Sequence, residues 1–161
     1  MLHAHEIVAA AARGSEPVAD RLVLDYDNRH RRRLRLTGEQ GTDILLDLPH
    51  ATVLADGDAV RLSDGRLVEV VAADEPLMEV CAADAETLAR LAWHIGNRHL
   101  AADIHAGGIR LREDHVIAGM LEGLGATVTH ILAPFTPESG AYARGGHQHG
   151  HPHGHGHSHA H

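Results

Sequence analysis

Two different spacings of apolar residues divide the chain near residue 73. Before that point the apolar runs are short and often alternate with polar residues, as strands do. Leu22-Val23-Leu24 with Tyr26 form one such run, and Asp27-Asn28 then marks a turn. From Arg31 to Leu36 a period of two puts Arg31, Arg33 and Arg35 on one face and Arg32, Leu34 and Leu36 on the other. Ile44-Leu45-Leu46 is a third strand. Ala59–Leu62 and Leu67–Val71 flank Ser63-Asp64-Gly65-Arg66, where Asp-Gly between apolar runs signals a hairpin. The pattern predicts a small, mostly antiparallel β domain over residues 1–73.

Helical spacing takes over in the second half. After a predicted strand at Leu77–Cys81, Asp84 is placed to cap a helix whose apolar positions are Leu88, Leu91, Ala92 and Ile95. Gly96 is expected to end it, because glycine enters the left-handed conformation at little cost. His99–Ile104 reads as a strand, His105–Gly108 as a turn and Ile109–Arg112 as the returning strand. Glu113 or Asp114 caps a second helix with Ile117, Met120, Leu121 and Leu124 on its buried face. Gly125 ends that helix, and Ala126–Leu132 is the last strand. The order β-α-β-β-α-β is the ferredoxin-like arrangement, so the fold class is α+β. That topology puts His99, His115 and the end of the last strand at one end of residues 74–142, and His105 at the other. Pro134 and Pro137 exclude helix or central strand beyond it, with Phe135 and Tyr142 pinning an extended segment to the body.

Composition narrows the function classes. The chain has 161 residues, 43% hydrophobic but only 2% aromatic, so aliphatic side chains must build the core. The net charge of -8 with histidine neutral argues against general nucleic-acid binding, which needs Lys and Arg against phosphate. The cluster Arg29, Arg31, Arg32, Arg33 and Arg35 reads as a solvated face, or as a docking surface for an acidic partner. A single cysteine, Cys81, forms no internal disulfide, which fits a reducing compartment. No apolar run reaches membrane-spanning length, and the first residues lack a secretory pattern, so a soluble cytoplasmic protein is expected.

Histidine carries the candidate chemistry. From 147 to 161 every odd residue is histidine: His147, His149, His151, His153, His155, His157, His159 and His161. The segment 143–161 has too few apolar groups to order itself and is expected to be a disordered metal-binding tail. Imidazole suits Ni(II), and Zn(II) or Cu(II) also bind such sites. Interruption by Gly, Pro, Gln, Ser and Ala distinguishes the tail from a purification tag. In the body, His3, His5, His30, His50, His105 and His130 read as surface residues, and His94 as a helix-end residue favoured by the dipole. His99 follows the first helix. One histidine makes a poor nickel site, but a residue near a two-fold axis meets its own copy. His115 follows Glu113-Asp114, a combination equally suited to an ordinary N-cap and to a metal site.

Gly96-Asn97-Arg98-His99, then Asp114-His115-Val116, then Pro134-Phe135-Thr136-Pro137-Glu138-Ser139-Gly140-Ala141-Tyr142, followed by a histidine-rich tail, resemble the UreE-type urease accessory proteins. The resemblance implies a homodimeric nickel metallochaperone and not an enzyme. It implies an N-terminal β domain that docks partners and a ferredoxin-like domain that dimerises head to head. His99 then binds nickel across the dimer interface, and the tail adds ligands. The implied partners are the urease accessory GTPase and the urease apoprotein held by other accessory proteins. Some members carry further histidines just before the Asp-His pair, where this chain has Arg112 and Glu113. A general Ni/Zn/Cu storage or detoxification protein is the alternative reading. A hydrolase built on Glu113, Asp114 and His115 lacks the usual catalytic spacing.

Overall fold

The computed structural model describes residues 1–139. The histidine tail and Tyr142 lie outside the described residues. The first part builds one six-stranded sheet from β1 (Leu2–Val8), β2 (Val18–Leu24), β3 (His30–Thr37), β4 (Asp43–Val53), β5 (Ala59–Leu62) and β6 (Leu67–Ala72), in the order β2-β6-β5-β1-β4-β3. Two short helices, α1 (Ala10–Arg13) and α2 (Tyr26–Arg29), interrupt it. The sequence pattern leads to most of these strands but misses β1, an inner strand between β5 and β4. A register shift between Ala4 and Glu6 breaks the alternation that would reveal it. The sheet is also more mixed than expected. β3–β4, β1–β5 and β5–β6 are antiparallel, whereas β1–β4 and β2–β6 are parallel. Asp27-Asn28 lies within the single turn of α2, capped by Asp25 accepting the Asn28 N–H at 2.9 Å.

Alternation then explains the core. Ile44, Leu46 and Leu48 of β4 are buried with Val68 and Val70 of β6, Val60 of β5 and Ala4 of β1. Arg31, Arg32, Arg33 and Arg35 are exposed on β3, an edge strand, where charge discourages unwanted strand pairing.

The second part has β7 (Asp74–Cys81), α3 (Ala85–Asn97), β8 (Asp103–His105), β9 (Gly108–Arg112), α4 (His115–Gly123) and β10 (Thr127–Pro134). Its strands lie in the order β10-β7-β9-β8, and every neighbouring pair is antiparallel. This is the ferredoxin-like arrangement expected from the pattern. Leu91 and Ile95 of α3 and Ala118 and Leu121 of α4 bury against Met78, Val80, Ile109 and Leu111. One expectation is corrected here: His99–Ala102 is not strand, because β8 begins only at Asp103. Pro134 ends β10, an edge strand, where its missing N–H breaks no inner ladder.

The two sheets meet at an arginine. Arg29 is fully buried, and its guanidinium donates to the carbonyls of Leu24, Leu54 and Phe135. Phe135 is also fully buried, and Tyr26 meets it edge-on at 5.5 Å between ring centroids. Arg112 lies over both rings and pairs with Asp27 at 3.0 Å. Burying a phenyl ring contributes about 2–3 kcal/mol, so Phe135 holds the segment after β10 to the body.

Candidate metal centre

Helix α3 delivers His99. The Asp84 side chain accepts the Thr87 N–H at 2.7 Å and satisfies one free amide of the first turn. At the other end the last carbonyls are closed by two bonds: His99 N–H to Gly96 O at 3.0 Å and Leu100 N–H to Ile95 O at 3.4 Å. That pair is a Schellman motif, and it demands a left-handed residue at the position after the cap. The demand falls on His99, at φ 56, and not on Gly96, which remains inside the helix. Ile95 is buried and Leu100 packs against the same cluster, so the hydrophobic contact that accompanies the motif is present. His99 is the one non-glycine with positive φ among the described residues. Strain of this kind costs about 1 kcal/mol or more.

The turn opens onto a cleft of about 370 Å³ lined by His99, Leu100, Ala101, Leu111, Arg112, Glu113, Asp114 and Ile117. The end of α3 and the start of α4 therefore share one end of this sheet, as the topology predicts. Arg98 strengthens the approach by donating through Nε to Met120 Sδ of α4 at 2.8 Å. Residues beyond β10 also arrive here. Glu138 donates its N–H to Ala102 O at 2.8 Å, and Asp103 Oδ2 accepts both the N–H and hydroxyl of Thr136 at 3.1 Å.

The acidic residues of the cleft are partly committed. Asp114 caps α4, one carboxylate oxygen accepting from Val116 N–H at 2.9 Å and Ile117 N–H at 3.1 Å. Glu113 turns to His130 of β10, with Nδ1 and Oε1 3.1 Å apart. His115 opens α4, exposed, and does not line the cleft. Glu113, Asp114 and His115 thus do not converge, and among the described residues no three His, Cys, Asp or Glu side chains form a metal-holding group. His130, expected as an ordinary surface residue, is exposed on β10; its approach to Glu113 follows from the β10–β7 and β7–β9 registers together, which nothing local in the sequence encodes. His105 stands on β8 beside Asp103, Nε2 to Oδ1 at 2.9 Å. No helix among the described residues is long and apolar enough to cross a membrane.

Comparison with known proteins agrees with this architecture. Residues 3–73 match the model of the UreE urease accessory protein N-terminal domain, and residues 75–161 that of the UreE urease accessory protein C-terminal domain. A urease accessory protein UreE of Bradyrhizobium sp. (strain ORS 278) is 58% identical over 137 residues, covering 85% of this chain and 65% of the relative. That of Rhodopseudomonas palustris (strain HaA2) is 59% identical, covering 80% of this chain and 60% of its own length. That of Beijerinckia indica is 55% identical, covering 85% and 80%. The chain thus spans less than two thirds of the length of the first two. Both halves match models of one family, in the order its name implies, and the chain belongs to the UreE family of urease accessory proteins.

Proposed function

We propose that this chain binds Ni(II) as cargo and delivers it for assembly of the urease active site, as a metallochaperone and not an enzyme. The observation that carries the reading is the conformation of His99. The helix end calls for glycine, and an exposed imidazole stands there instead, beside a cleft holding Asp114. A residue kept against a backbone preference suits a ligand better than a filler.

One imidazole holds nickel weakly. In our reading two chains form a homodimer through residues 74–142, so that His99 meets its copy at the two-fold axis. Exposed Trp93 and Val116, at 64% and 66%, give the helical layer apolar surface for such a contact. His115 and the tail histidines His147 to His161 serve as further ligands, and Zn(II) or Cu(II) compete for them. Neutral imidazoles bind; protonation or ligand exchange releases. Residues 1–73 dock partners, with the β3 arginines as the surface for an acidic one. The urease accessory GTPase exchanges nickel with the dimer, and the urease apoprotein with its other accessory proteins receives it in the cytoplasm.

The test is a nickel titration of the 161-residue chain with its eight tail histidines changed to asparagine, with mass followed in solution. The expected result is a dimer holding about half a tight nickel per chain, lost on His99→Ala. A stoichiometry indifferent to His99→Ala would overturn the assignment and move the chemistry to the tail, as in a storage protein.

A further inference from the structure

His3 and His5 lie on β1, exposed on either side of the fully buried Ala4. Residues two apart on a strand share a face. Here their ring centroids are 5.7 Å apart, with planes inclined at 31°. The ring of His5 is also oriented: Nδ1 lies 3.1 Å from the Asp47 carbonyl oxygen. A carbonyl can only accept, so Nδ1 carries the hydrogen and Nε2 keeps its lone pair. A backbone carbonyl fixing the tautomer in this way is the usual support of a ligating histidine.

The scaffold beneath is stiff. β1 is paired on both sides, and Ser63 clamps its start by donating its N–H to His3 O at 2.8 Å and accepting the His3 N–H at 3.3 Å. Nearby carboxylates have other cations: Glu6 faces Arg61 at 3.8 Å and Asp47 faces Arg33 at 3.9 Å. We propose that His3 and His5 form a two-imidazole site for a borderline divalent cation on the N-terminal sheet, with water filling the remaining positions. Ni(II), Cu(II) and Zn(II) all suit imidazole, and the affinity order puts Cu(II) first. The site shares no residue with the cleft at His99, so it stands or falls independently of the nickel reading there.

The experiment is a Ni(II) titration of the full chain followed by two-dimensional amide NMR, since the paramagnetic ion broadens signals close to it. Broadening is expected at His3–His5 and Leu45–Asp47. The apparent dissociation constant there should rise more than about tenfold in His3→Ala and in His5→Ala, the low end of what losing even a supporting partner does. His50→Ala should leave it unchanged. The dispersion of the same spectra shows that each variant is folded. A measurement needing no variant is protection of both imidazoles from carbethoxylation by nickel, read by mass spectrometry in the unaltered chain. Absence of broadening on β1 after the tail is saturated, absence of protection, or broadening that persists in both single variants would each overturn the site.

Discussion

Helices α3 and α4 stop in the same way and with different residues. After α4, Gly125 N–H bonds Glu122 O at 3.1 Å and Ala126 N–H bonds Leu121 O at 3.0 Å. After α3, His99 and Leu100 make the matching bonds to Gly96 and Ile95, the second stretched to 3.4 Å. The left-handed position is filled by glycine at φ 98 in one case and histidine at φ 56 in the other. Both helices pack on the same sheet, so fold alone does not explain the difference. What separates the two ends is the cleft: His99 lines it and Gly125 does not. Under the proposed function, the place where a local rule is broken is the place of the ligand.

The sharpest way to test it is to make the two ends alike. His99→Gly should reduce nickel affinity of the body site by more than about 100-fold, well beyond the effect of losing a supporting partner. Stability should not fall. Relief of the left-handed strain is partly offset by the entropy of glycine in the unfolded chain, leaving a gain of about 0.5 kcal/mol. Isothermal titration and urea melts on one preparation measure both. A clear loss of stability would show that His99 supports the fold and would remove the argument from strain. The reverse exchange, Gly125→His, should cost about 1–2 kcal/mol, a fall in Tm of roughly 3–6 °C. A Cβ at 125 meets only Thr87 Cγ2, at 3.5 Å, so backbone preference alone is being measured.

The starts of the helices offer a smaller test. Asp114→Ala should cost about 1 kcal/mol through the lost cap, whereas Asp114→Asn keeps the capping oxygen and should stay within about 0.5 kcal/mol. Nickel affinity separates the same two variants differently. If the Asp114 carboxylate attracts the cation at the His99 cleft, both weaken binding; if it only caps, Asn binds as the unaltered chain does.

Much of this is legible in the sequence. Apolar runs on either side of an Asp-Gly turn point to β5, β6 and their hairpin, and the cap at Asp84, a cap at Glu113 or Asp114 (the structure has Asp114) and the stop at Gly125 follow from residue chemistry. The order of the second half led to its topology, and topology brought His99 to the start of α4. What escaped depends on distant partners. β1 was lost because a bulge hides its alternation, and with it went the pairing of the His3 and His5 rings. Gly96 is the natural stop by propensity, yet the helix runs past it, because the Leu100 N–H can close on Ile95 only if the left-handed turn falls at His99. Arg29 belongs to a run whose charge predicts a solvated face, yet it is buried; the three carbonyls that hold it come from Leu24, Leu54 and Phe135, far apart in the chain.

The smallest expected effect concerns acid. Asp84 is held below its ordinary carboxylate value of 3.8, first by the Thr87 N–H and then by the Thr87 side chain. A lowered folded value means that the stabilisation is complete above the unfolded value and is lost as pH falls through the folded one. Asn caps nearly as well as Asp but carries no charge to set against the helix dipole. Asp84→Asn should therefore be slightly less stable than the unaltered chain near neutral pH, with the gap closing as pH falls through and below the ordinary carboxylate value of 3.8. Thermal melts of the two proteins across that range measure it. A gap that widens on acidification would mean that Asp84 does not hold the start of α3 as a carboxylate. In that case the helix would rest on its apolar face and on the turn at His99, and substitutions at His99 would have to weigh more in stability than the strain argument allows.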